Sequence, residues 1–383
     1  MNKEAKKTLK TFSLAAFLND MGADMIFPVW PLFLITVMGA NMAVLGLIDG
    51  LGQMLFSISQ AASGYLSDRL QKRKIFIWSG YLFSGISKIG YALSPTWQWL
   101  IPFKIIDRSG KMRGAPRDAI VSEISDDRHR GRNFGILRMM DNMGALLGIT
   151  ATLLLFGVLG YKKLFIVAAI PSVIAAALIF FKVKEHRTKN IYKPISLKEL
   201  NKGLVLFFIL SAFFALGSFS YSFLLVFANK MGYQATSVPI FYLIYTAVAM
   251  LFSLPFGKLA DIIGRKKVFM ISYAIFALMC FGFMIVEQKW MLFILFPLYG
   301  LHLASLEPVQ KTFVSEMAPS RFRVSTIGAY QMVVGILALP ASLIAGLLWE
   351  KVAPWAPFAF SLAMASTAFL LLFFIKETSS ESS

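Results

Sequence analysis

The chain has little of what most soluble proteins and enzymes rely on. It carries one cysteine, Cys280, and three histidines in 383 residues. A single cysteine leaves no disulfide framework, and so few soft ligands argue against a dedicated metal cage. Polar sequence is scarce too: charged residues make up 15% of the chain, and residues 183–202 form its only long polar segment. Acids are few, with 20 Asp and Glu against 38 Lys and Arg. There is no Gly-xxxx-Gly-Lys-Ser/Thr phosphate loop, no His-Glu-xx-His and no Gly-x-Ser-x-Gly, so the common hydrolytic and phosphate chemistries have no foothold. No Asn-x-Ser/Thr glycosylation acceptor occurs either. These absences point away from an enzyme and imply no cofactor and no metal.

What is present is apolar. The chain is 57% hydrophobic with 36 Phe, far from a soluble domain's balance. Twelve apolar runs recur, at about 12–37, 43–66, 75–94, 97–120, 133–159, 163–182, 203–229, 236–259, 268–286, 290–315, 324–349 and 354–375. Each is long enough to cross the roughly 30 Å hydrocarbon core. Spans in lipid must satisfy their own backbone groups, so the runs are expected to be helices. A large soluble helical protein would have to hide most of these faces from water.

The net charge of +18 suggests a nucleic-acid partner, but its distribution rules against one. With the N-terminus inside, cytoplasmic segments hold 25 of the 38 basic residues, and external loops hold Lys162, Lys163, Lys230, Lys289 and Lys351. That asymmetry places both termini in the cytoplasm, with the excess charge facing anionic lipid head groups. Residues 1–10 read as a short basic tail. Lys3, Lys6 and Lys7 before an apolar run resemble a signal peptide, but Asn19 and Asp20 break the run and no small-residue cleavage site follows. A retained first helix is expected.

The chain also repeats itself. Gly64-Tyr-Leu-Ser-Asp68-Arg69-Leu-Gln71-Lys72-Arg73-Lys74 returns 193 residues later as Gly257-Lys-Leu-Ala-Asp261-Ile-Ile-Gly264-Arg265-Lys266-Lys267. The same offset aligns Met38-Gly39 with Met231-Gly232, Trp97 with Trp290, Val121-Ser122-Glu123 with Val314-Ser315-Glu316, Arg128 and Arg130 with Arg321 and Arg323, and Gly135 with Gly328. So many matches at one offset mark an internal duplication. The expected division is an N-terminal six-helix bundle (1–182), a cytoplasmic linker (183–202) and a C-terminal six-helix bundle (203–383).

Six plus six helices, a basic central loop and a Gly-xxx-Asp basic turn after helices 2 and 8 resemble the major facilitator superfamily along essentially the whole chain. Two positions depart from the pattern: Gln71 stands for the usual Gly in the first turn, and Ile262 for the usual basic residue in the second. Leu18-Asn19-Asp20 with Pro28 and Pro31, and Asp107-Arg108-Ser-Gly-Lys111-Met-Arg113-Gly-Ala-Pro116-Arg117-Asp118-Ala, resemble a bacterial branch of it. The resemblance implies an all-α membrane protein of twelve transmembrane helices in two pseudo-symmetric halves. It also implies alternating access about a midplane site, location in the bacterial cytoplasmic (inner) membrane and a monomer. In that family the turn is a conformational latch. Gly64, Asp68, Arg69, Lys72, Arg73, Asp118, Gly257, Asp261 and Arg265 are its candidates here. The two glycines would admit close helix approach, and Asp118 would meet Lys72 or Arg73. A solvated topogenic loop is the plainer alternative.

Charges inside spans cost about 2.5–3.5 kcal/mol each at the centre, so they mark functional candidates. The cations are Lys88, Lys104, Arg108, Lys111, Arg113, Arg117, Arg138 and Lys311; the acids are Asp20, Asp24, Asp49, Asp107, Asp118, Asp141 and Glu307. All but Lys311 and Glu307 lie in the first half. On a straight helix Lys104, Asp107, Arg108, Lys111 and Asp118 share an arc of about 100°. Asp107 then falls i,i+4 from Lys111, while Arg113 and Arg117 point elsewhere. Asp20 and Asp24 share a face of helix 1, either as proton-coupling acids or as ion-pair partners of helix 4. Arg138 and Asp141 are spaced to pair with each other. His302 reads as a satisfied core residue before a proton relay.

The substrate-binding and coupling candidates are therefore Asp20, Asp24, Lys104, Asp107, Arg108, Lys111 and Glu307. They suggest a proton-linked secondary transporter, by symport or antiport, of a small organic anion such as a carboxylate metabolite or siderophore. The alternatives are a proton-driven exporter of drugs or lipophilic cations and a non-transporting membrane receptor or scaffold.

Overall fold

The computed structural model describes residues 3–125, 129–185, 202–318 and 323–374. The first span begins with α1 (Lys3–Asp24) and continues through a turn, a short helical piece Trp30–Leu32 and a wide π turn Phe33–Val37. Pro28 and Pro31 lie at this break, where neither can donate an amide to a continuing helix. Residues 3–10 are not a separate tail: Lys6, Lys7 and Lys10 sit in the first turns of α1. Lysine is a good helix former, and three of them at one end cost the helix little.

Next come α2 (Met42–Leu70) and α3 (Arg73–Leu93). The fourth span, α4, is built from three pieces: Trp97–Ser109, a 3-10 turn Gly110–Arg113, and Gly114–Glu123. The stretch Arg130–Lys182 is broken at Gly160 (φ 65°, ψ −174°), which gives α5 (130–159) and α6 (161–182). The seventh span, α7 (Gly203–Lys230), is interrupted between Lys202–Gly217 and Ser222–Lys230. The remaining spans are α8 (Pro239–Ile263), α9 (Arg265–Ile285), α10 (Leu292–Met317), α11 (Arg323–Lys351) and α12 (Ala356–Leu372). All twelve expected spans are helical. Most of the expected linker and the tail beyond residue 374 lie outside the described residues.

The helices gather into two compact units. One comprises residues 1–40, 55–193 and 234–239; the other comprises 41–54, 194–233 and 240–383. The grouping differs from a cut at the linker in one main respect: the first half of α2 belongs with the C-terminal unit. Small residues bring it there. A side chain at Gly46 would stand 2.0 Å from the Ser342 carbonyl, and one at Gly50 would stand 2.8 Å from that of Ala338.

In the N-terminal unit α1 lies along α5, with Gly144 and Gly148 against the backbone of Phe17 and Met21. Phe12, Tyr81, Ile120, Leu137 and Ile179 fill the space between α1, α3, α4, α5 and α6. Close approach through small residues is the usual route to helix packing in lipid. It does not occur at the latch glycines. A Cβ at Gly64 would make only an ordinary 3.5 Å contact with Ala115, and at Gly257 it would meet nothing within 4 Å. The C-terminal unit is held by aromatic contacts, including the edge-on pairs of Phe207 with Phe269 and Phe313, and the stack of Phe283 on Phe358.

The duplication is visible in the backbone. Gly39 and Gly232, one repeat apart, end their spans at φ 65° and φ 96°. Gln71 and Gly264 also correspond, and both have positive φ, 53° and 97°. Gln71 thus accepts a left-handed conformation that costs a side chain about 1–2 kcal/mol. Gly264, at ψ 151°, lies in a region open essentially only to glycine. Gly264→Gln is therefore expected to destabilise the protein by about 1–3 kcal/mol, while Gln71→Gly stays within about 1 kcal/mol of the parent. Thermal melting of the detergent-purified variants measures both. The opposite order would refute this reading of the two turns.

Candidate functional site

The polar interior of the N-terminal unit is assembled around the irregular α4. Gly110 packs on the backbone of α3, where an added Cβ would lie 2.6 Å from the Gly80 carbonyl. Pro116 follows within a turn and crowds the carbonyl four residues before it. The 3-10 turn Gly110–Arg113 accommodates both constraints, and it rotates everything beyond it relative to a straight helix.

That rotation decides the pairing. Asp107 does not pair with Lys111. Its Oδ2 lies 3.4 Å from Arg108 Nε, and its Oδ1 accepts hydrogen bonds from Ser84 (3.5 Å) and Ser87 (3.4 Å) of α3. The three cations expected on one face each lie over a ring. Lys104 Nζ is 4.2 Å from the Trp30 centroid, Arg108 is 5.3 Å from Phe27, and Lys111 Nζ is 5.7 Å from Phe56. Lys104 and Asp107 are buried. Ring faces attract a cation without neutralising it. Among the described residues no carboxylate lies within ion-pairing distance of Lys111.

Arg113 and Arg117 are buried rather than turned toward water. Arg113 lies 4.9 Å from the Tyr81 ring, donates to the Gly110 carbonyl at 2.9 Å and comes within 4.0 Å of Asp20. Arg117 pairs with Asp118 at 3.0 Å and reaches Asp141 at 3.7 Å; Asp141 also takes Arg138 at 3.6 Å, as expected from its spacing. Asp24 is buried, one helical turn beyond the half-buried Asp20.

Lys88 of α3 is a buried cation whose setting the sequence did not disclose. It donates to Ser172 of α6 at 2.5 Å; Ser172 donates to Asn19 Oδ1 at 3.2 Å, and Asn19 donates to Asp20 at 3.0 Å. This chain links α3, α6 and α1. A lone lysine in an apolar span was the only signal for it.

Each basic turn is closed by a three-membered charge clasp. In the first, Arg73 holds Asp68 at 2.8 Å and Glu123 at 2.7 Å, and it is itself only 3% exposed. Glu185, just beyond α6, accepts hydrogen bonds from the Arg73 and Lys74 amides at the start of α3. In the second turn Arg265 holds Asp261 at 2.6 Å and Glu316 at 3.3 Å. Asp118 does not meet Lys72 or Arg73; Glu123, five residues further along α4, takes that place, while Asp118 serves Arg117. Arg69 and Lys72 are exposed, and Arg69 contacts Tyr65 at 3.4 Å. The repeat offset already paired Glu123 with Glu316, so the sequence held the correct acids although depth along the helix favoured Asp118.

The C-terminal unit carries a different polar feature. Where α7 is interrupted, Ser220 and Ser222 donate to the Asp49 carboxylate, Ser220 at 2.8 Å. His302 is a satisfied core residue, 3.0 Å from both the hydroxyl and the carbonyl of Ser272. Glu307 is exposed, three residues before Gln310, which donates to Tyr330 at 2.5 Å. The Lys311 side chain lies outside the described residues. Glu307 belongs to the C-terminal unit, whereas the other candidates belong to the N-terminal unit. No group of three metal-ligating side chains occurs among the described residues.

The family model for the Major Facilitator Superfamily matches residues 12–253 and 205–383. An uncharacterized MFS-type transporter of Methanocaldococcus jannaschii is 38% identical over 388 residues, covering 98% of this chain and 96% of that protein. The multidrug resistance protein MdtG of Salmonella paratyphi C is 27% identical over 333 residues, covering 81% and 80%. Among solved structures, the nucleoside transporter NupG superposes with a TM-score of 0.78 at 16% identity, covering 98% of both chains.

Proposed function

Because the chain belongs to the major facilitator superfamily, whose members are transporters and not enzymes, we propose that it is a proton-linked secondary carrier of a small organic anion. It resides in the cytoplasmic membrane as a monomer with both termini inside, and it alternates access around a midplane site. The observation that carries the anion reading is the set Lys104, Arg108 and Lys111. These cations rest on ring faces, Asp107 is engaged by Arg108 and two serines, and Lys111 has no carboxylate within ion-pairing distance among the described residues. A carboxylate is the natural complement of such a group, since charge-assisted hydrogen bonds are the strong ones. Asp24 is the favoured coupling acid, because it is buried in α1 where Asp20 is only half-buried. The two charge clasps act as conformational latches, supported by their repetition in both units.

The test is uptake of labelled mono- and dicarboxylates into proteoliposomes with and without a pH gradient. A proton gradient should drive anion uptake, and a protonophore should collapse it. A second reading, export of lipophilic cations with Asp20 and Asp24 as counter-ions, draws on the likeness to MdtG and on the rings of Phe27 and Trp30 along the same span. Gradient-driven movement of such cations without any anion uptake would replace the first reading with the second.

A further inference from the structure

Outside the charged interior of the N-terminal unit lies a cavity of about 650 Å³ between the first turns of α1 and of α5. Its mouth is basic: Lys6 and Lys10 from α1, His129 just before α5 and Arg132 in its first turn, all exposed. Among the described residues no carboxylate lines it. Its wall is apolar, with Leu9 on one side and Ile136 and Met140 on the other. The apolar face runs on along α5 through the exposed Met139, Met143 and Leu147, at helical spacing.

The cavity also contains a polar group in want of a partner. Ser13 lies about two turns from Lys6 on the same face of α1. Its side chain is 5% exposed and lines the cavity, and its hydroxyl has no hydrogen-bond partner. A buried hydroxyl left unsatisfied costs about 1–3 kcal/mol. Its neighbour Asn133 is occupied with Ser125 at 2.7 Å. Cations at the rim, an orphan donor at the floor and an apolar wall leading away along the span form a sequence of environments. A phosphate, an ester oxygen and an acyl chain follow one another in the same order.

We propose that this cavity is a binding site for one anionic phospholipid. The head-group phosphate sits between Lys6, Lys10 and Arg132, a glycerol-ester oxygen accepts from Ser13, and an acyl chain lies along Ile136 and Met140. The cavity adjoins the basic end of the spans, where anionic leaflet lipids concentrate and basic pockets between helices take acidic head groups. The site is separate from the α4 cluster, so it stands whether or not the cargo is an anion.

Native mass spectrometry of the purified full chain tests the site, with phosphatidylglycerol, phosphatidylcholine and soluble glycerol phosphate as probes. Phosphatidylglycerol should bind about tenfold or more tightly than phosphatidylcholine, and Lys6→Gln/Lys10→Gln/Arg132→Gln should erase that preference. Ser13→Ala should weaken phosphatidylglycerol binding several-fold. Equal binding of the two lipids, or a preference that survives the triple substitution, overturns the proposal. Glycerol phosphate competing as well as the lipid would also overturn it, since the site would then read a free phosphate. If the triple variant is not monodisperse, salt decides with the parent protein. Raising the ionic strength to about 1 M shortens the screening length to roughly 3 Å and must weaken phosphatidylglycerol adducts; adducts indifferent to salt refute the site.

Discussion

Lys111→Gln is expected to reduce anion transport about hundredfold at unchanged expression, with a larger effect than Arg108→Gln. Arg108 shares its charge with Asp107 at 3.4 Å, whereas Lys111 lies over the Phe56 ring with no carboxylate in ion-pairing reach among the described residues. A carboxylate cargo would therefore take its charge-assisted contact from Lys111. Removing one member of such a desolvated pair costs about 2–5 kcal/mol, and each 1.4 kcal/mol is roughly tenfold. Asp24→Asn should leave anion binding in place and remove the dependence of uptake on a proton gradient. In the cation-export reading the pattern inverts: Asp24→Asn abolishes export and Lys111→Gln spares it. Uptake assays of the two variants, with binding measured separately, tell these cases apart. Normal anion uptake by Lys111→Gln would sink the anion reading.

The second large effect is expected at the first basic turn. Arg73→Met removes the cation that Asp68 and Glu123 share, and leaves two carboxylates facing each other near the start of α3. Breaking a buried pair from one side costs about 3–5 kcal/mol; the 40% exposure of the Glu123 side chain places this case at about 3 kcal/mol or below, because water can partly replace the arginine. Glu123→Gln should lower thermal stability in the same direction by a smaller amount. Asp118→Asn should leave the turn intact and perturb only Arg117, so it separates the clasp seen here from the partner that the family resemblance implied. Asp68→Asn, if the clasp is also a latch, should change the distances between spin labels across the basic ends of the helices. A strong effect of Asp118→Asn on the turn together with a silent Glu123→Gln would mean that the clasp is misassigned.

Much of the candidate site was legible as a list of residues and little of it as a set of pairs. That Lys104, Asp107, Arg108 and Lys111 crowd one part of α4, and that Asp20 and Asp24 share a face of α1, follows from spacing alone. The i,i+4 pairing of Asp107 with Lys111 presumed a straight helix. Four residues of 3-10 helix at Gly110–Arg113, each advancing about 120° instead of about 100°, shift everything beyond them by about 80°. Lys111, inside the turn, is carried off the line that would meet Asp107, which pairs with Arg108 and the α3 serines, and Arg117, beyond the turn, reaches Asp141. The break in α7 similarly brings Ser220 and Ser222 to Asp49, a residue prominent in the sequence only as an acid inside a span.

The sequence by itself determined the class, the twelve spans, the duplication and the concentration of charge in one half. Hydrocarbon thickness sets a minimum run length, and a repeat offset is a property of the chain read in one dimension. It also marked Glu123 and Glu316 as equivalent, although not as partners of Arg73 and Arg265. Only the tertiary structure decided which charges meet, which glycines admit a neighbouring helix and where a cavity remains between α1 and α5. Those outcomes depend on the rotation of each helix about its axis. Local events such as Pro116 against the preceding turn, Gly160 in a left-handed conformation or Gly110 against Gly80 alter that rotation by tens of degrees while leaving the pattern of apolar residues unchanged.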